Sequence, residues 1–588
     1  MVRGGDMADG VRKVRVNENI RYESDDWCPL PLTAGVAIQG VMLILPTAVV
    51  IVAVIAGAAG QPDSYLEWSV FAALLVGGLT TALQGARIGR LGTGHLVVAL
   101  VSPSYIAVSL LALSRGGMAL LASLLLVAAL IQFGLAGWLS SLRVLITPVV
   151  TGTVLMLIAA TILPVAFDRL DEVPSGAPPA AGVVIATVTL AVIAGLVLRG
   201  VGILRLWTSL IGIVVGCMTA VLMGSYDFGP VLDAPWLGIP RIQLPGLDLT
   251  PGAEFWGLVP AFVIISVVVG IKNIGDGGVI QQVSRRQPRT SDFRMVQGLL
   301  NANGAGSLLS AITGIPPMSV GSATTAGLAG FTGVASRRVG YLMGAFLAVF
   351  AFLPKLVAFL LTIPRPVMGA YLLVLMGMLF VEGIRTVLRD GLDHRKALVV
   401  ALAFSIGVGM DGRGVFSDLL GETWGASLDS GMTLGALIAL GLTLFIEATG
   451  RRPARLEVRL DMSALPEIDR HLTEVATGMG WNAASTDLLR AAGEETLSSL
   501  LQPADPQPAD DAPARLVIVA RPDQGAVELD YITVYVEDNL EDRLSYLDER
   551  SDLPDEREIS FRLLRHYATS IRHRKYHGAE IVTVRVEV

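Results

Sequence analysis

The sequence predicts an all-α polytopic membrane protein with fourteen transmembrane segments in a seven-plus-seven inverted repeat. Short strands are expected in segments 3 and 10, and a soluble α+β domain follows the body. Three observations predict this architecture. Of 588 residues, 53% are hydrophobic and only 16% charged, and a mean hydropathy of +0.62 over that length suits a bilayer-spanning body rather than a soluble enzyme. The apolar content stops near Glu447, and from Arg451 to Val588 the chain is charged and punctuated by proline. Two apolar segments are broken at Gly, Pro and Ser, seven segments apart. The expected organisation is an N-terminal segment over 1–30, a transmembrane body over 31–450 and an α+β regulatory domain over 451–588.

The first thirty residues carry Arg12, Lys13 and Arg15, then an acidic stretch from Glu23 to Asp26, with no apolar core of the signal-peptide kind. Insertion is therefore expected to use the first membrane helix. Apolar segments run over 33–58, 68–84, 94–110, 118–138, 141–164, 181–199, 204–223, 255–280, 296–312, 315–332, 341–362, 367–384, 396–410 and 431–447. Basic residues follow the even segments: Arg87 and Arg90, Arg143, Arg199 and Arg205, then Arg285, Arg286, Arg289 and Arg294. Arg337 and Arg338 continue the series, and so do Arg385, Arg389, Arg395 and Lys396. Loops 61–67, 165–178, 224–254 and 411–430 are acidic or nearly free of basic residues. The positive-inside rule then places both termini in the cytoplasm of a multi-pass cell-membrane protein. Two cysteines, Cys28 and Cys217, give no disulfide framework and no metal-ligand cluster, so no metal or cofactor is expected. The net charge of −7 opposes no basic face, and nucleic acid is not an expected partner.

Segment 3 reads Gly92-Thr93-Gly94-His95, then Leu96 to Val101, then Ser102-Pro103-Ser104-Tyr105. Segment 10 reads Ile312 to Thr325 with Gly314, Pro316, Pro317 and Gly321 inside it. Each is read as a short extended piece followed by a half-helix. Extended backbone at membrane depth has to be buried in protein, where free amides and half-helix N-termini offer polar contacts to a solute. Function is expected where segments 3 and 10 meet.

Lys272 and Asp276 sit in the apolar run Phe255 to Val283, four apart and on one helix face. One reading is an intrahelical ion pair; the other is a solute- or proton-facing pair, because a buried ion pair without further hydrogen bonds barely offsets its desolvation. Asn273 is placed against solute or a neighbouring segment. Ser322, Thr324 and Thr325 stand near the start of the segment 10 half-helix, with Ser319 upstream; they serve either as caps or as hydrogen-bonding groups for a planar heterocycle. Ser102 and Ser104 take the corresponding place in segment 3, with Tyr105 as an aromatic wall. Gln39 and Gln84 can read a heterocycle edge or tie two helices together. His95 is read as a local contact near the cytoplasmic entrance, and Glu382 and Glu447 as near-interface carboxylates.

Over roughly residues 25–450 the body resembles the nucleobase-ascorbate transporters, also called the nucleobase:cation symporter-2 or xanthine/uracil permease family. The likeness rests on the Gln39 context, Thr81-Ala82-Leu83-Gln84, the broken segment 3, Asn273-Ile274-Gly275-Asp276, and the stretch Gly327 to Arg337. The resemblance implies a core and a gate domain, a homodimer, and elevator-like import of a purine- or pyrimidine-like or small anionic solute with H⁺ or Na⁺. It places substrate between the half-helices of segments 3 and 10 and the middle of segment 8. Asp276 matches the residue associated with ion coupling. Lys272 stands where the family usually has a substrate-binding Glu, and Thr324-Thr325 where it has Gln or Glu followed by Asn. Lysine has three donors and no acceptor, so it cannot mimic that carboxylate. Two expectations follow: an anionic or acceptor-rich solute paired with Lys272, or H⁺ symport in which protonation of Asp276 releases Lys272.

The tail shows a strand pattern over 456–460, helical patterns near 466–479 and 485–501, and a linker over 502–514. Strand patterns follow over 515–520 and 526–537, then a helix near 557–574 and a final strand near 580–587. The order faintly resembles the anti-sigma-factor, histidine-kinase-like ATPase fold. Ser498 and Ser499 stand where its nucleotide-metal Asn is usual, which favours a regulatory domain with a cytosolic protein partner over a nucleotide-binding one. His566, His573 and His577 are assigned to a solvated basic helix and its end. A membrane solute sensor or scaffold signalling through the tail is the alternative to transport.

Overall fold

In the computed structural model the described parts of the apolar runs are largely helical. The structure describes residues 17, 19–137, 147–170, 178, 180–200, 202, 204, 207–247, 252–286, 292–388, 394–449, 453–501, 515–523, 525–533, 563–564, 566–576 and 579–587. The basic residues before Asn17, the linker over 502–514, His577 and the start of the helix expected from 557 lie outside these. The chain divides into two compact units, Met1–Gln287 with Met295–Thr443, and Pro288–Arg294 with Leu444–Val588.

The first unit opens with α1 (Leu30–Ala58), α2 (Asp63–Ala86), β1 (Ala99–Val101) and a 3₁₀ turn (Pro103–Tyr105) that runs into α3 (Ile106–Gly137). Then come α4 (Pro148–Asp168), α5 (Ala181–Arg199), α6 (Thr208–Leu222), the short α7 (Gly229–Asp233), α8 (Ala253–Val283) and α9 (Phe293–Thr313). β2 (Met318–Val320), α10 (Ser322–Thr332), α11 (Arg337–Ala351), α12 (Pro354–Leu361), α13 (Arg365–Leu388), α14 (His394–Met410), α15 (Val415–Asp429) and α16 (Gly431–Thr449) follow, the last crossing into the second unit. Among the described residues seven helices are long and apolar enough to span a membrane, or eight if α11 and α12 count as one. That pair, expected as a single segment over 341–362, bends by 86°. Pro354 lacks an N–H and pushes Leu353 to φ −110°, ψ 82°, out of the helical region. Segments 3 and 4 instead share α3, interrupted at Gly117, whose φ of 64° favours glycine.

Both broken segments contain the expected strand. β1 and β2 pair antiparallel, with Leu100 opposite Ser319. Gly321 N–H to Val98 O at 2.9 Å and Ser102 N–H to Pro317 O at 2.9 Å extend the ladder at its ends. A two-stranded sheet leaves outer amides open, and buried ones need partners. Two threonines supply them: Thr81 Oγ1 accepts from Ala99 N–H at 3.1 Å, and Thr325 Oγ1 from Val98 N–H at 3.0 Å. Helices α2 and α11 cross at Gly78 and Gly344, where a Cβ on either would lie 2.6–2.8 Å from the other's carbonyl oxygen.

The second unit carries β3 (Ala454–Arg459), α17 (Leu465–Met479), α18 (Ala483–Leu500), β4 (Arg515–Asp523), β5 (Ala526–Thr533), β6 (Ser570–Tyr576) and β7 (Ala579–Glu587). The sheet order is β3-β4-β5-β7-β6, antiparallel throughout. Ile468, Leu472, Leu489 and Leu497 of the two helices pack with Leu516, Leu529, Tyr531 and Val584 of the sheet. Asn482 caps α18, its Oδ1 accepting from Ser485 N–H at 2.8 Å. The helix expected over 557–574 is corrected: residues 570–576 form β6, with His573 opposite Val582. Over so short a basic run the two periodicities are hard to separate, and pairing with β7 satisfies the backbone in the extended form. His566 is exposed in a helical turn before it.

Candidate functional site

The site is built on α8, whose 31 residues span about 46 Å at 1.5 Å per residue. Lys272 Nζ lies 2.6 Å from Asp276 Oδ2, with side-chain exposures of 18% and 8%. The four-residue spacing makes this contact, but it uses only one carboxylate oxygen. The other, Oδ1, accepts from Ser322 Oγ at 2.8 Å. One turn earlier, Asn273 Oδ1 accepts from Ser319 Oγ at 3.2 Å. Two residues three apart on α8 thus meet two residues three apart where β2 passes into α10. Asn273 is fully buried, and its Nδ2 has no hydrogen-bond partner among the described residues.

The start of α10 has Gly321 as its N-cap and no side-chain cap, leaving first-turn amides and the positive helix end beside Asp276. Thr324 is half-buried in that turn. Thr325 is committed elsewhere: besides accepting from Val98, its hydroxyl donates to Gly321 O at 2.8 Å. Ser102 is buried where β1 ends, its N–H on Pro317 O. Tyr105 is fully buried, with its hydroxyl donated to Ser266 Oγ at 2.9 Å and its ring centroid 6.4 Å from that of Phe262. It therefore fixes the turn after β1 to α8. Gln39 is half-buried on α1, beside Gly40, which meets Leu328 of α10 and Met343 of α11. Gln84 ties α2 to α9, its Nε2 donating to Leu299 O at 3.2 Å and Asn303 Oδ1 at 3.1 Å. His95 is buried, with Nδ1 3.2 Å from Thr93 O.

The structure thus joins Lys272, Asn273 and Asp276 to Ser319 and Ser322, and gives Thr325 and Tyr105 bonds that hold the broken segments. Sequence reasoning missed Ser266 and Asn303, polar residues buried in apolar helices; that environment was the available signal. Chemically, the cluster is rich in donors: the Lys272 ammonium and the Ser322 hydroxyl hold the one carboxylate, which Lys272 neutralises, and Asn273 Nδ2 adds a donor without a partner among the described residues.

A polytopic helical body with an ion pair beside two paired broken segments is the architecture of a membrane transport protein. The model of the xanthine/uracil group, described as the Permease family, matches residues 33–413, and the chain belongs to this family. It is 27% identical over 447 residues to the xanthine permease XanP of Escherichia coli, covering 73% of this chain and 95% of that protein. Identity is 25% over 433 residues to the nucleobase transporter PlUacP of Paenibacillus larvae, covering 72% and 95% respectively. Among solved structures, the transmembrane domain of the cyanobacterial bicarbonate transporter BicA aligns at a TM-score of 0.45 and 14% identity, covering 72% of this chain and 99% of that one. The family match ends at residue 413, before the tail domain.

Proposed function

We propose that the chain is a secondary active transporter that imports a purine- or pyrimidine-like solute in an anionic or acceptor-rich form, by H⁺ or Na⁺ symport. The observation that carries this reading is the Asp276 carboxylate shared between Lys272 at 2.6 Å and Ser322 at 2.8 Å. An ionisable pair inside an apolar spanning helix, bonded to the start of a half-helix, is costly unless it works on solute or ion. Solute would accept from Lys272, Asn273 Nδ2, Thr324 and the α10 amides, with Gln39 and Ser102 at the edges. Asp276 is the coupling residue: its protonation frees Lys272 for the solute, and its deprotonation restores the pair and releases the cargo.

Around this site we place fourteen segments in two inverted halves, core moving against gate in an elevator-like step, with both termini cytoplasmic and two copies in a homodimer. The domain over 451–588 is assigned a regulatory role toward a cytosolic protein. Uptake of labelled xanthine, uracil and urate into proteoliposomes tests the reading, with wild type compared with Lys272→Glu. Wild type should prefer urate, and Lys272→Glu should gain the neutral bases. No uptake of any of the three by either protein sinks the proposal.

A further inference from the structure

We propose that the segment over 19–27, with Asn17, is a strap that positions the solute site, Ile20 on the strap and Arg286 beyond α8 being the positioning residues; this rests on the site placed between α8 and α10 above. The ends of those two helices away from the N-cap of α10 are the ones the strap reaches. Val283 closes α8, with Arg286 just beyond it, and Gly333 closes α10 at φ 71°. Ile20, 3% exposed, packs with Ala329 of α10 and with Ala335, and Val283 of α8 packs against the same cluster. One side chain of the strap is therefore wedged between the two helices that carry the site.

Backbone bonds fix the wedge from both sides. Arg21 and Tyr22 N–H groups donate to Gly333 O at 2.8 and 3.1 Å, Ala335 N–H donates to Tyr22 O at 2.8 Å, and Arg337 N–H to Ser24 O at 3.0 Å. Ser336 Oγ donates to Asp26 O at 3.0 Å. On the α8 side, Arg286 Nε donates to Ile20 O at 3.2 Å, its Nη2 reaches Arg21 O and lies 2.9 Å from Asp26 Oδ2, and its N–H donates to Glu23 Oε1 at 2.7 Å. Asn17 N–H donates to Arg286 O at 2.6 Å. The Arg338 guanidinium covers the Trp27 ring at 3.6 Å. The ion pairs are exposed and individually weak; the buried wedge and the backbone bonds carry the fixation. The run Thr332 to Arg337, which gave part of the family likeness, is thus the dock for the strap. At Gly333 any side chain is strained, since φ is 71° and a Cβ would lie 2.7 Å from Asn19 O.

From Asp276 to Val283 is two helical turns, so α8 and α10 are held together at the site by Ser322 and at the far end by Ile20. Loosening one end lowers the fraction of molecules with Ser322 on Asp276. Apparent affinity falls by that fraction while turnover of loaded protein is kept. The test compares full-length wild type with Ile20→Asp, Ile20→Ala, Arg286→Ala and Arg286→Lys, by labelled urate uptake kinetics and by amide exchange over 322–332. Ile20→Asp should raise KM about tenfold with kcat nearly unchanged, and should speed exchange of 322–332 by about tenfold. Arg286→Lys should restore part of what Arg286→Ala loses. If Ile20→Asp does not fold, Ile20→Ala gives the same readings in smaller measure. Unchanged exchange over 322–332, or less folded protein at an unaltered KM, overturns the strap. If wild type takes up no labelled urate, the solute reading fails separately, and exchange over 322–332 alone decides the strap.

Discussion

Removing Lys272 should destabilise the folded protein mainly by stranding Asp276, and a double-mutant cycle with Asp276→Asn measures this. At 2.6 Å and an effective dielectric near 20, two unit charges attract by about 6 kcal/mol. Desolvation of two side chains only 18% and 8% exposed offsets most of that gain, so the intact pair contributes little net stability. Lys272→Met leaves a carboxylate whose remaining partner among the described residues is Ser322. A stranded buried charge costs roughly 3 kcal/mol. Lys272→Met combined with Asp276→Asn replaces both charges, and the double variant should recover about 2–3 kcal/mol relative to the sum of the singles. Denaturant unfolding of the purified full-length chain, in one detergent and at one protein concentration, reads the four corners. Single effects that add within about 0.5 kcal/mol would refute the reasoning, because the two groups would then not share a buried environment.

Ser322→Ala removes the donor on Asp276 Oδ1, a bond to a charged acceptor worth about 1.5–3 kcal/mol; solute uptake should drop at least tenfold at normal expression, and an unchanged rate would detach Ser322 from the site. Thr325→Val leaves the buried Val98 N–H without its acceptor and should cost about 1–3 kcal/mol in unfolding free energy, with no change in which solutes compete for uptake. Gly344→Ala forces a Cβ to 2.6 Å from Gly78 O and should lower the unfolding midpoint by an overpacking cost of about 1–3 kcal/mol; wild-type stability there would mean that α2 and α11 separate easily.

Much of the fold was legible because a bilayer imposes length and apolarity on each span, and both are written locally. The breaks in segments 3 and 10 were legible for the complementary reason. Pro316 and Pro317 between Gly314 and Gly321 disfavour a continuous helix, and Pro103 suits the first position of the turn after β1, so the breaks are marked without any knowledge of neighbours. The i, i+4 spacing of Lys272 and Asp276 likewise fixes their contact within one helix. The short run 570–576 was misassigned because its stability lies in pairing with β7, and no local pattern records that.

Sequence by itself therefore determined the membrane body, the two broken segments, the ion pair and the family likeness, since each depends on residues close together in the chain. Tertiary structure alone decided that Ser322 bonds Asp276 from 46 residues away, that Thr325 serves the amide of Val98 just before β1, and that Tyr105 is tied to Ser266. It also decided that Ile20 reaches Val283 and Ala329. Those bonds join distant segments, and hydrogen bonds and packing select their partners by distance and direction in space, quantities that sequence order does not carry.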